Sequence, residues 1–137
     1  MASAFLDTNI LLYSISRAAD EAAKRDRALQ ILDGSNLGLS VQVLQEFYVQ
    51  ATRSSRPDAL AHDIAAGLIR AWLRFEVQDN NVAVMSAALE IKAAQGFSFW
   101  DSAIIAAARA LGCTRLYSED LSHGRVIEGV LIVNPFR

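Results

Sequence analysis

A chain of 137 residues, 53% of them apolar and with only 7 Gly and 2 Pro, can bury about two-thirds of its unfolded surface in one core, which excludes disordered, low-complexity and collagen-like classes. The longest unbroken apolar run, Ala103 to Ala108, falls far short of the roughly 20 residues that cross a bilayer, and no basic stretch followed by an apolar one opens the chain, so a cytoplasmic protein without a membrane partner is expected. A formal net charge of −2 and a pI near 5.6 provide no general field for a polyanion, so nucleic acid would have to be met by a local patch or a bound cation.

Ala2 to Leu6 reads as a buried strand, closed by the turn and cap chemistry of Asp7, Thr8 and Asn9, where a helix starts. After a polar break at Ser16 to Asp20, a helix runs to Asp33 with Gly34 as its cap candidate, and Leu37 to Ser40 forms the second strand. Leu44, Phe47, Tyr48 and Ala51 make the apolar stripe of a helix over Val41 to Arg53, with Glu46 off that stripe. Ser54 to Asp58 is a loop, and Pro57 suits the first turn of the next helix, which carries Ile64, Leu68, Ile69 and Trp72. Phe75 to Gln78 is a third strand, Asn81 to Ala94 a helix ended by Gly96, and Ser98 to Gly112 a helix apolar on nearly every side. Arg115 to Ser118 and Val130 to Val133 complete five strands.

Strands alternating with helices give an α/β fold, a mostly parallel five-stranded sheet flanked by helices on both faces, in one domain over 1–137. The lone Cys113 fits a reducing compartment and a buried thiol. Ligands of such sheets bind at the carboxyl ends of the strands, which makes strand-end acids the residues to follow. Asp7 directly follows the first strand, Asp120 lies just past the fourth, Asp101 opens the apolar helix, and Glu46 sits one to two turns into the helix after the second strand.

Singly, each acid has an ordinary explanation: Asp7 and Asp101 as first-turn or capping acids, Glu46 as a surface charge, Asp120 as a turn residue. Jointly, four carboxylates at one end of a sheet repel each other and are tolerated only with protonation or a cation among them. Oxygen ligands without Cys or His select Mg2+ or Mn2+, and neither His62 nor His123 stands in a zinc-like spacing. The matching chemistry is hydrolysis of a phosphate ester by a metal-activated water, foremost in a phosphodiester nuclease.

The segments Phe5 to Leu11, Glu46 in its helix, Phe99-Trp100-Asp101-Ser102-Ala103-Ile104 and Tyr117-Ser118-Glu119-Asp120-Leu121 resemble, in order and spacing, the signature of PIN-domain ribonucleases. The closing stretch from Gly124 to Asn134-Pro135-Phe136 is similar to the end of their VapC toxin branch. The resemblance implies an endoribonuclease toxin dependent on Mg2+ or Mn2+, a homodimer, silenced by a small antitoxin protein that inserts into the active-site groove. It implies that Asp7, Glu46, Asp101 and Asp120 are the catalytic quartet, with Asp7, Asp101 and Asp120 on the metal and Thr8, Asn9 and Ser118 in support. Ser118 stands where the family commonly has Thr and keeps the hydroxyl. Glu119 adjoins Asp120, but strand alternation puts the two on opposite sides and Asp120 on the side of Ser118.

Two other functions fit parts of the pattern. A HAD-type phosphatase also begins with Asp after a first strand, but wants a second Asp where Asn9 stands. A catalytically silent PIN-like interaction module is the other, and the intact quartet argues against it. Arg17, Arg53 and Arg56 are candidates for phosphate contacts. The helical face of Leu44, Phe47 and Tyr48, or the surface near Trp72, is expected to form the dimer.

Overall fold

The computed structural model describes residues 1–137. Its strands are β1 (Ala4–Leu6), β2 (Leu37–Ser40), β3 (Glu76–Gln78), β4 (Arg115–Tyr117), β5 (Val126–Ile127) and β6 (Val130–Val133). Its helices are α1 (Thr8–Ser14), α2 (Ala22–Leu32), α3 (Val41–Ala51), α4 (His62–Trp72), α5 (Val82–Gln95) and α6 (Phe99–Ala110).

The strands form one sheet in the order β3-β2-β1-β4-β6-β5. Every pairing is parallel except β5 with β6. From β1 the chain steps outward through β2 to β3, then returns to the other side of β1 as β4. Right-handed crossovers therefore place α1 to α4 on one face and α5 and α6 on the other. The two directions of winding part between β1 and β4, which is where an open parallel sheet leaves a crevice at its carboxyl edge.

Burial follows the apolar pattern. Ala103 through Ala108 are all buried, which lets α6 lie flat on the sheet, and Phe5, Leu39, Leu116 and Ile132 bring β1, β2, β4 and β6 into the same core. Gly38 in β2 is required by that packing, since a Cβ there would lie 2.8 Å from Leu111 Cδ1, 3.2 Å from Ala2 Cβ and 3.3 Å from Cys113 Sγ. Cys113 is buried as expected, and burial, followed by the charge of Glu76, pushes its thiol up to about 11. Gly96 ends α5 in the left-handed conformation (φ 77°) that glycine adopts without strain.

Two expectations need correction. The sheet has six strands, because β5 folds back on β6 through a two-residue turn with Glu128 at φ 52° and Gly129 at φ 83°. Glu-Gly is a weak form of the Asn-Gly hairpin signal, and β5 is only two residues long. Pro57 does not open a helix. Asp58 accepts Arg56 Nε at 2.8 Å and the Arg17 N–H at 3.2 Å, which ties the loop to the segment that follows α1, and α4 begins only at His62. On the helical face expected to pair, Phe47 and Trp72 stack edge to face at 4.7 Å inside the core and Leu44 is buried with them, while Tyr48, Val49 and Leu73 beside them keep apolar surface exposed.

The packing around Gly38 gives a paired test. Gly38→Ala should cost about 1–3 kcal/mol in urea unfolding through overpacking. Gly67→Ala, inside α4 with nothing within 4 Å of the added methyl, should gain about 1 kcal/mol from helix propensity.

Candidate active site

The crevice at the carboxyl edge is built around Asp7. Leu6 pairs with Tyr117 across β1 and β4, and the next N–H, of Asp7, donates to Tyr117 O at 3.0 Å. Asp7 leaves the strand in extended conformation and caps α1, its Oδ1 accepting the Thr8 N–H at 2.7 Å. Its Oδ2 accepts the hydroxyl of Ser118 at 2.8 Å. Ser118, directly after β4 and fully buried, gives its proton to Asp7 while its oxygen accepts the N–H groups of Asp120 at 3.2 Å and Leu121 at 3.3 Å. One hydroxyl thus ties the end of β1 to the turn that carries Asp120.

Asp7 is only 7% exposed. Burial pushes its carboxyl from the ordinary 3.8 up to about 6, and the negative charges of Glu46 and Asp101 add to the rise, against the hydrogen bonds from Ser118 and Thr8 that oppose it.

Glu46 reaches the crevice from α3. Its Oε2 accepts Thr8 Oγ1 at 2.8 Å and its Oε1 accepts Gln42 Nε2 at 2.9 Å. Gln42, buried one turn earlier, also donates to Trp100 O at 3.2 Å and so ties α3 to the start of α6. Asp101 lies in the first turn of α6, where its own N–H is capped by Ser98 Oγ at 3.1 Å. The expected capping roles of Asp7 and Asp101 are therefore half right, since Asp7 is a cap and Asp101 is positioned by one.

Asp120 is exposed and accepts Asn9 Nδ2 at 3.2 Å. Asn9 Oδ1 accepts the Glu119 N–H at 3.3 Å, so one amide in α1 braces both residues. Glu119 points elsewhere. Its carboxylate accepts Lys24 Nζ at 2.6 Å and Tyr13 Oη at 2.5 Å. Burial pushes Glu119 up, but those two donors outweigh it and hold the carboxyl below the usual range.

The four predicted acids thus occupy one edge. Glu46 and Asp101 act on Asp7 through their charge, and Asp120 is linked to it through Ser118 and Asn9. No three His, Cys, Asp or Glu side chains stand close enough together to grip one ion directly. The donor set still fits Mg2+ or Mn2+. It consists of oxygens alone, its central carboxylate is raised by burial and further by the charges of Glu46 and Asp101, and Mg2+ keeps several waters and is commonly held by one or two carboxylates. A polar groove of about 260 Å3 leads from Asp120 and Asn9 past Tyr13 to Arg56 and Gln50.

Of the candidate phosphate binders, Arg56 lines this groove but is paired with Asp58, while Arg17 and Arg53 are exposed. His62 bonds Tyr48 Oη at 2.8 Å on the surface, and His123 Nδ1 accepts the Asn134 N–H at 2.9 Å. Sequence reasoning missed Gln42, although its spacing of four from Glu46 on a helix was a usable signal. It also missed Tyr13 and Lys24, whose link to Glu119 spans 106 and 95 positions. Ser102, beside Asp101, has the one buried side-chain oxygen without a partner.

The raised Asp7 carboxyl sets a pH dependence. A group whose folded pKa exceeds its unfolded value stabilises the fold at low pH and loses that contribution as pH rises through the folded value. In chelator, wild type should therefore lose up to about 3 kcal/mol relative to Asp7→Asn between pH 4 and pH 7. Urea unfolding at several pH values checks this, and a flat difference would contradict the raised carboxyl.

The family model described as PIN domain matches residues 4–128. No curated protein matches the sequence. Among solved structures, the chain is similar to a toxin–antitoxin complex from Klebsiella pneumoniae, with a TM-score of 0.69 and 21% identity over 97% of this chain and 98% of that one. It is similar to VapC20 of Mycobacterium tuberculosis, described as a toxin that cleaves the sarcin-ricin loop, with a TM-score of 0.68 and 21% identity over 86% of this chain and 90% of that one. DNA-bound VapBC from Salmonella typhimurium gives 0.68 and 22% over 96% and 97%.

Proposed function

The chain belongs to the PIN-domain family, and from that premise we propose that it is a Mg2+- or Mn2+-dependent endoribonuclease, the toxin of a type II toxin–antitoxin pair. The observation that carries this reading is the Asp7 carboxyl, buried beside Glu46 and Asp101 and raised to about 6 by burial and by their charge. Such a group is unfavourable as it stands and is relieved by a divalent cation.

Asp7, Asp101 and Asp120 would hold the ion, directly or through its waters. When bound, it supplies polarisation of the phosphoryl oxygens, a water acidic enough to ionise near neutral pH, and stabilisation of the leaving oxygen. The protein's own share is positioning. Ser118 fixes Asp7 and the Asp120 turn together, while Thr8 and Gln42 occupy both oxygens of Glu46 and hold its charge toward Asp7. Asn9 serves as an amide donor to Asp120, which is no role for the second acid that a HAD-type phosphatase needs there.

The acidic crevice repels RNA until a cation is bound, which agrees with a chain of net charge −2. It also suits inhibition by a small antitoxin whose Arg would pair with these carboxylates and displace the ion. Several of the similar structures are described as toxin–antitoxin or VapBC complexes. A homodimer would use apolar side chains that the core leaves exposed. Val82, Met85 and Leu89 form one stripe on α5, and Trp100 lies in the first turn of α6. No helix is long and apolar enough to cross a membrane.

Purified chain should cut single-stranded RNA with Mg2+ or Mn2+ and lose that activity in chelator. Asp7→Asn, Asp101→Asn and Asp120→Asn should each lower the rate at least about 100-fold, in line with loss of metal-borne charge stabilisation. Calorimetry should show Mn2+ affinity falling about tenfold or more in Asp7→Asn. Cleavage that persists in chelator, or in Asp7→Asn, would contradict the proposal.

A further inference from the structure

Two acids, Glu119 and Asp120, stand side by side at the end of β4, and a metal site could draw on either. Their surroundings separate them. Asn9 and Tyr13 lie four apart on α1 and so present one face to the turn after β4. Asn9 braces the Glu119 N–H and the Asp120 carboxylate, and Tyr13 Oη donates to Glu119 Oε1. Lys24, from α2, donates to the other oxygen of Glu119 and also lies 5.0 Å from the Tyr13 ring centroid. Phe136 packs edge to face on that ring at 5.0 Å and so helps to set the phenol. Both Glu119 oxygens are therefore engaged, and each donor comes from a helix rather than from the turn itself.

We propose that Glu119 is a positioning residue and not a metal ligand: clamped between Lys24 and Tyr13, it fixes the turn that presents Asp120 and keeps its own carboxylate off the ion. The proposal deepens the nuclease reading and rests on its assignment of Asp120 to the metal. Turns are held only as firmly as their hydrogen bonds, and here the backbone bonds of Asp120 and Leu121 go to a single serine oxygen at 3.2 and 3.3 Å. A charge-assisted pair one residue earlier supplies the restraint that those long bonds lack.

The test compares Glu119→Gln, Lys24→Met, Lys24→Arg and Asp120→Asn with wild type, all shown to be folded by urea unfolding. Mn2+ affinity is read by calorimetry, exchange of the Asp120 and Leu121 amide protons by NMR, and kcat and KM on a fluorescent oligoribonucleotide. Glu119→Gln and Lys24→Met should keep Mn2+ affinity within about threefold. They should speed exchange of both amides at least about tenfold, and lower kcat five- to twentyfold with KM nearly unchanged, effects that local loosening without loss of a ligand produces. Lys24→Arg, which keeps the charge, should restore exchange and most of kcat. Asp120→Asn should lose about tenfold or more in Mn2+ affinity. If Glu119→Gln loses Mn2+ affinity as Asp120→Asn does, Glu119 is a ligand and the proposal is overturned. If exchange and kcat do not respond to Glu119→Gln or Lys24→Met, the clamp positions nothing and the proposal is equally overturned. Wild-type Mn2+ affinity in Asp120→Asn instead removes the assignment of Asp120 to the metal, and the clamp falls with it.

Discussion

Desolvation of the Asp7 carboxylate is the constraint around which the rest of the crevice is arranged. A carboxylate that is 7% exposed is costly unless its oxygens are hydrogen-bonded, and here each oxygen has one donor, Thr8 N–H and Ser118 Oγ. Both donors depend on the sheet. Thr8 points its N–H at Asp7 because α1 starts where β1 stops, and Ser118 reaches Asp7 because β4 lies beside β1 in register. The return of the chain from β3 to β4 is what creates that adjacency, so the order of the strands and the chemistry of the crevice are one fact.

Two hydrogen bonds do not neutralise a charge, and Glu46 and Asp101 add two more negative groups nearby. The molecule does not separate them. Gln42 and Thr8 hold Glu46 in place, Ser98 caps the turn bearing Asp101, and Asn9 holds Asp120. Every one of these supports is a neutral amide or hydroxyl, which orients a carboxylate without cancelling it. The cationic side chains close to this edge are engaged elsewhere, Lys24 with Glu119 and Arg56 with Asp58. The result is a cluster of oriented acids whose natural complement is a cation, and local stability is given up to a site that works only when loaded.

Much of this was legible in the sequence because the relevant signals are local. Asp7, Asp101 and Asp120 each lie at a strand end or a helix start, Glu46 lies one to two turns into the helix after β2, and the apolar run Ala103 to Ala108 marked α6 as the helix that lies on the sheet. What escaped was set by contacts distant in sequence. The Lys24–Glu119 pair, the Gln42 bridge to Trp100 and the Asp58 anchor that delays α4 join residues 41 to 95 positions apart, and no spacing rule reports them. The β5 hairpin escaped for a local reason, a Glu where Asn or Asp usually announces the turn. An apolar stripe on a helix does not say whether the core or a partner covers it, and for Leu44 and Phe47 it is the core.

The central claim is that the buried Asp7 carboxylate, with Asp101 and Asp120, is a site for a divalent cation. Anomalous diffraction at the manganese edge, from crystals grown with Mn2+, tests it most directly. The account predicts a peak within bonding distance of an Asp7 carboxylate oxygen, on the side facing Asp101 or Asp120. A peak elsewhere, or an Asp7 that keeps only Thr8 and Ser118 as neighbours at saturating Mn2+, would contradict it.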